Sequence, residues 1–155
     1  NGWGNDGGAG GTGSEAPYSG GGGGGASEAG ASTPVGNFGG RGMQLSPTFR
    51  DPAQVIGAPG DVGYGSPQSG RWFAAGGGGT RVNTPDSGAG AGIGGIGGGG
   101  WGGGNPSKPP GTPSHSGTPA VQNTGSGGGG GDINNQATAF GGQGASGIVL
   151  IAYPT

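Results

Sequence analysis

Apolar side chains gather into one continuous run and are otherwise scattered. The run, Ile148-Val149-Leu150-Ile151-Ala152-Tyr153, follows Gly147 and is stopped by Pro154. Its unbroken apolar character predicts a β-strand buried on both faces, because such a hexamer left exposed invites aggregation. A strand needs a partner. The candidates are Met43–Leu45, Arg81–Val82, or the same strand of a neighbouring subunit, which is preferred because other strand candidates are so few. The rest of the chain alternates between glycine runs and polar segments. The runs lie at 7–13, 20–25, 36–42, 76–79, 88–104, 125–131 and 141–147, and each is followed by residues rich in Pro, Ser, Thr, Asn and Asp. Those segments have the composition of turns and surface loops. The layout predicts a single domain over 1–155 that runs back and forth through a bundle. Loops at 42–70 and 105–124 stand at its surface, and 148–153 closes it. Because the chain begins at Asn1, it is expected to be the C-terminal part of a longer or processed protein.

Composition sharpens what kind of bundle this is. Glycine supplies 51 of 155 residues and proline 13, while net charge is only −2. Glycine orders at the largest entropic cost and forms helices and strands poorly, so no α-helix is predicted. Collagen is excluded, since it needs glycine at every third position and 20–25 is an unbroken run. A flexible linker would lack aromatics, yet the chain has ten Trp, Tyr and Phe side chains, seven of them within two residues of a glycine. What remains is the extended threefold helix of polyglycine II, with a rise of about 3.1 Å per residue. It has no internal hydrogen bonds. Without Cβ atoms, neighbouring rods can approach and bond N–H to O=C laterally, helped by Cα–H···O contacts. Ordering costs about 1–2 kcal/mol per residue, so only a bundle of rods holds. The fold class is therefore mostly coil: packed polyglycine II helices, long surface loops and a short C-terminal β-strand.

Three stretches, "RWFAAGGGG" (71–79), "NTGSGGGGG" (123–131) and "GGQGASGIVLIAYP" (141–154), together resemble the glycine-rich modules of bacteriophage tail-fibre and adhesin proteins. Related modules occur in bacterial surface proteins and in the extracellular part of the anaplastic lymphoma kinase receptor. The resemblance implies a sandwich of polyglycine II helices at a fibre tip or particle surface, trimeric or clustered. It is specific in the closing motif. Ala152 departs from the arginine common there, and the insertion 42–70 is additional. The expected function is a non-enzymatic structural or adhesion module located in the virion, at the tail or surface. The expected partners are further copies of the chain, other structural virion proteins, and a host-surface glycan or protein. The alternatives are a subunit of an extracellular bacterial filament or surface layer, at the cell surface, and a phage capsid decoration protein.

Candidate chemistry is sparse. Cysteine is absent and His115 is the only histidine, which gives no triad and no paired acid and base; no enzyme and no cofactor is expected. A G-x-G-x-x-G match means little in so glycine-rich a chain without a following helix. Gly127–Asp132 fits half of a calcium-binding nonapeptide repeat. However, Asn134 stands where an aliphatic residue is wanted and no second copy follows, so Asp132 reads as a turn residue and no metal is expected. Five scattered cations form no patch, which argues against nucleic acid, and no apolar stretch has the length of a membrane span. The candidate oligomer interface is Ile148, Val149, Leu150, Ile151 and Tyr153 with Trp101. Trp101 and Ile93/Ile96, set inside glycine, plug the bundle face or meet a neighbouring chain. Tyr18, Phe49, Tyr64 and His115, in loops, are the candidate receptor contacts, against the plainer reading of packing over the bundle edge. Arg71 and Trp72 form a candidate cation–π pair that would staple the loop 42–70.

Overall fold

The computed structural model describes residues 4–11, 19–32, 37–50, 53, 55–60, 69–80, 92–103, 115–131 and 139–153. Among them there is no α-helix. Regular elements are a single 3-10 turn at Pro47–Phe49 and two antiparallel strands, β1 (Ala58–Pro59) and β2 (Arg71–Trp72), with Ala58 opposite Trp72 and Pro59 opposite Arg71. Nearly everything else is extended chain whose main-chain hydrogen bonds go sideways to other segments.

The period of those bonds identifies the conformation. Along 74–80 the carbonyls address three neighbours in turn. Those of Ala74, Gly77 and Thr80 accept from the N–H groups of Ala26, Gly23 and Gly20, at 2.9, 2.8 and 2.9 Å. Those of Ala75 and Gly78 accept from Gly127 and Gly130, at 2.9 and 3.0 Å. Those of Gly76 and Gly79 accept from Gly95 and Gly92, at 2.9 and 2.8 Å. Each neighbour is met again after three residues, and its own partners also step by three. A strand would alternate with a period of two, and a helix would bond within itself. A period of three is the polyglycine II screw.

The N–H groups of this central rod face two further neighbours. Gly76 and Gly79 donate to Gly40 and Asn37, at 2.9 and 2.7 Å, and Gly78 donates to Gly100 at 2.9 Å. The rods at 20–26, 37–40 and 92–95 run antiparallel to it; those at 99–103 and 124–130 run parallel. Main chain therefore packs against main chain on every side described. A Cβ on Gly76, Gly77, Gly78 or Gly79 would overlap the backbone carbonyl of Gly23, Gly128, Gly92 or Gly20 respectively. Close approach is what these glycines supply.

Small side chains enter where the lattice leaves room or needs a bridge. Ala75 is buried beside Gly97, whose missing side chain makes the space. The buried Ser126 hydroxyl accepts from Ala75 N–H (3.0 Å) and donates to Gly97 O (2.6 Å), relaying a bond that main chain alone does not make there. The Thr118 hydroxyl likewise accepts a main-chain N–H, that of Trp101, at 2.7 Å. Such hydroxyls let segments that are not glycine runs join the bundle. Gly117 and Ala120 donate to the carbonyls of Phe140 and Gln143, and Thr118 and Val121 to those of Trp101 and Gly98. Within the expected surface loop 105–124, then, 116–121 is a rod, and Ser116, Thr118 and Ala120 are buried. Residues 105–114 lie outside the described residues.

The apolar core is correspondingly small: Ala58, Phe73, Ala75, Ile96 and Ala120. Ile96 stands at the reversal between 92–96 and 99–103, where Gly97 and Gly98 take φ of +117° and +99° that a side chain would resist. At the bundle's flanks, 5–11 lies on 19–25 through Asn5, Gly8 and Gly11. On the other side 140–146 lies on 125–129 through Gly142 and Ala145.

The expected C-terminal strand differs from what is seen. Residues 148–153 make no ladder with the described residues, and the short strands lie instead at 58–59 and 71–72. Nor is the hexamer buried on both faces, since Val149, Ile151 and Tyr153 are 86, 69 and 77 % exposed. The reason is the supply of partners. Met43 and Phe73, the nearest candidates, already exchange both backbone bonds with each other at 2.9 Å, so their edge is closed. Arg81–Val82 lies outside the described residues.

Candidate functional site

The loop 43–73 leaves and rejoins the bundle through that Met43–Phe73 pair, so its neck is fixed. Inside it Pro47, with φ preset, begins the 3-10 turn. Phe49 N–H closes the turn on Ser46 O at 3.0 Å. The turn carries Phe49 and Arg50 out to one side. Arg50 is held by Nε donating to Leu45 O (2.8 Å) and Nη2 to Gln44 Oε1 (3.5 Å). From the returning strand, Arg71 Nη1 donates to Gly57 O (3.3 Å) and Trp72 Nε1 to Ser69 O (3.1 Å). Gln44 Nε2 also donates to Ser69 O. The Arg71-Trp72 pair thus staples the loop through separate hydrogen bonds to its backbone.

The C-terminal segment lies against this loop. Ser146 anchors it, its carbonyl accepting from Gly125 N–H (2.8 Å) and its hydroxyl donating to Asn123 Oδ1 (2.9 Å). Beyond Gly147 the side chains alternate. Ile148 and Leu150 turn toward a cleft of about 450 Å³ walled by Met43, Leu45, Phe49 and Phe73. Next to it, sharing Leu45, Phe49, Phe73 and Leu150, is a groove of about 620 Å³ that also reaches Ile56, Arg50 and Arg71. Both of the chain's leucines and its single methionine line these two spaces. In a chain with 18 Val, Ile, Leu and Phe residues, that is where the large apolar side chains among the described residues concentrate.

The sequence-predicted residues divide. Phe49, Ile148, Leu150 and Ile151 are brought together here, with Phe49 43 % exposed on the rim. Val149 and Tyr153 face away, into solvent. Trp101 is half-buried in the bundle and His115 half-buried at the start of the rod 116–121; neither lines the groove. Tyr18, Tyr64 and Asp132 lie outside the described residues. Sequence reasoning missed Arg50 and Gln44 and assigned Arg71 only a stapling role. The usable signal was the scarcity of cations, since two of five fall at the two ends of one loop. Among the described residues no three His, Cys, Asp or Glu side chains stand together as a metal would need, and no helix is long and apolar enough to cross a membrane.

No protein-family model matches the chain, nor does any curated protein or any solved structure.

Proposed function

We propose that this chain is a non-enzymatic structural and adhesion module of a virus particle, a phage tail fibre or fibre tip. The observation that carries the reading is the two-sided C-terminal segment. One face seats on the chain's own groove, while Val149 and Tyr153 on the other stand 86 and 77 % exposed, and Ile151, at the groove's border, is 69 % exposed. An exposed apolar face beside a rigid scaffold marks an interaction surface, and symmetric association of like chains is the commonest way to cover one. The glycine bundle suits a load-bearing platform, since its interior is a lattice of main-chain bonds. The described part of the loop at 44–50 and 55–60 can change its side chains without altering those bonds, which is how binding specificity is borne on rigid scaffolds; a host-surface glycan or protein is the target of the loops. The closing motif 141–154 supports the phage reading through its resemblance to tail-fibre modules.

Replacing both Val149 and Ile151 by Asp tests it. The wild type sediments as an oligomer or fibre at micromolar concentration. The double variant sediments as a monomer whose unfolding midpoint is close to that of the wild type, because both side chains are exposed. A wild type that stays monomeric, or a variant that keeps native size, overturns the reading.

A further inference from the structure

We propose that the groove between the turn 44–50, Arg71 and Leu150–Ile151 is a binding site for a small amphipathic anion: a carboxylate carried on an alkyl or aromatic body. The inference is separable from the assembly reading: Ile151 borders the groove, but Val149 and Tyr153, the most exposed residues behind that reading, do not line it.

Size and chemistry both point there. A space of about 620 Å³ falls within the range of roughly 300–1,000 Å³ typical of small-molecule sites. Its walls are apolar side chains, Leu45, Phe49, Ile56, Phe73 and Leu150, with a few polar groups placed among them. That is the general make-up of such sites. Among the described residues the charged groups have one sign: Arg50 and Arg71, two of the chain's five cations, line the groove, and no described Asp or Glu does. The ion pair found among the described residues is elsewhere, between Arg41 and Glu28 at 3.2 Å on the surface.

The guanidinium groups are also positioned in advance. Arg50 is tied to Leu45 O and Gln44, and Arg71 to Gly57 O. Each guanidinium carries five N–H donors, so most remain for a ligand. A carboxylate is costly to bring into an apolar space unless charged donors meet it, and the planar fork of arginine does so with directional, charge-assisted bonds. The alkyl or aromatic body then displaces water from Phe49, Ile56 and Leu150. A neutral amphiphile gains only the second contribution, and a cationic one meets like charge.

Sodium octanoate, titrated into the full chain by calorimetry, is the probe, with octyl glucoside and octyltrimethylammonium as arms of equal tail length. Octanoate should saturate one site and bind at least about tenfold more tightly than either, the discrimination expected of a charge-assisted pair. Arg50→Gln and Arg71→Gln should each weaken octanoate about tenfold, while Arg41→Gln and Val149→Asp leave it unchanged. Arg71 also holds the loop, so unfolding midpoints are measured alongside; if Arg71→Gln unfolds, Arg50→Gln decides. Absence of saturable binding overturns the proposal. So does equal binding of the cationic amphiphile, or octanoate affinity unmoved by Arg50→Gln. Dissociation of a wild-type oligomer by octanoate would assign the groove to a neighbouring copy and overturn it too.

Discussion

Around 74–80 neighbouring segments meet backbone to backbone, and the contact tolerates almost no side chain. At the end of the bundle, where 43–50, 56–58 and 71–73 fold over, they meet through Phe49, Phe73, Leu45 and Leu150. The first region draws its order from repeated hydrogen bonds whose partners recur every third residue. The second draws it from the ordinary burial of apolar surface, worth about 25 cal/mol per Å². The first is a lattice and cannot adapt locally, since each rod is clamped by several others. The second can change its side chains and leave the lattice alone. Rigidity and recognition are thus kept in different parts of one small chain, and substitutions should separate them.

The largest effect is expected inside the lattice. In Gly77→Ala the new methyl would overlap Gly128 O, and Gly128 belongs to a rod held from its other sides. Overpacking that cannot relax should cost about 3 kcal/mol or more, a large part of a stability of roughly 5–15 kcal/mol. Thermal unfolding should show a midpoint far below the wild type, or no cooperative transition. A midpoint near wild type would mean that the rods are not in the contact described.

Ser126→Ala comes next. The hydroxyl is the acceptor for Ala75 N–H and the donor to Gly97 O, all within the buried interior. Its removal strands two main-chain groups at about 1–3 kcal/mol each, so a loss of about 2–6 kcal/mol is expected from denaturant unfolding. A loss under about 1 kcal/mol would show that the two groups find each other directly without the serine.

These two positions also show what was legible in the sequence. The run 76–79 was readable as a rod because unbroken glycine leaves few other ordered states, and the alternation with polar turns gave the back-and-forth path. The rod 116–121 was not readable. Only about one residue in three faces a given neighbour, so Thr118, Pro119 and Ala120 can occupy a rod whose composition looks like a loop. Hydroxyls such as Ser126 and Thr118 stand in for main-chain partners, and nothing in the local sequence marks them. The apolar hexamer was legible as a feature, but its pairing was not, because among the described residues nothing covers its second face. Arg50 and Arg71 could be seen as scarce cations; that they line one groove follows from the Met43–Phe73 neck, a contact between residues thirty positions apart.

The smallest effect is expected on the outermost rod, where it tests the screw itself. Along 140–146, Gly142 bonds inward and a Cβ there would overlap Thr118 O, whereas a Cβ on Gly144 would meet Ser126 O at 3.6 Å, an ordinary contact. Gly141 lies three residues earlier and is equally open, its nearest neighbour being Gly129 O at 3.6 Å. None of the three has a positive φ, so alanine carries no backbone strain. Gly144→Ala and Gly141→Ala should therefore stabilise slightly, by about 0.4–1 kcal/mol, through the lower entropy of the unfolded chain. Gly142→Ala, between them, should destabilise as an interior glycine does. Measured on the Val149→Asp/Ile151→Asp background, so that assembly does not enter, the three unfolding midpoints should rise, fall and rise along 141, 142 and 144. A β-strand would instead group 142 with 144 and set 141 apart, because its faces repeat every two residues. A midpoint for Gly144→Ala that falls with Gly142→Ala would thus replace the threefold rod by a strand at this edge.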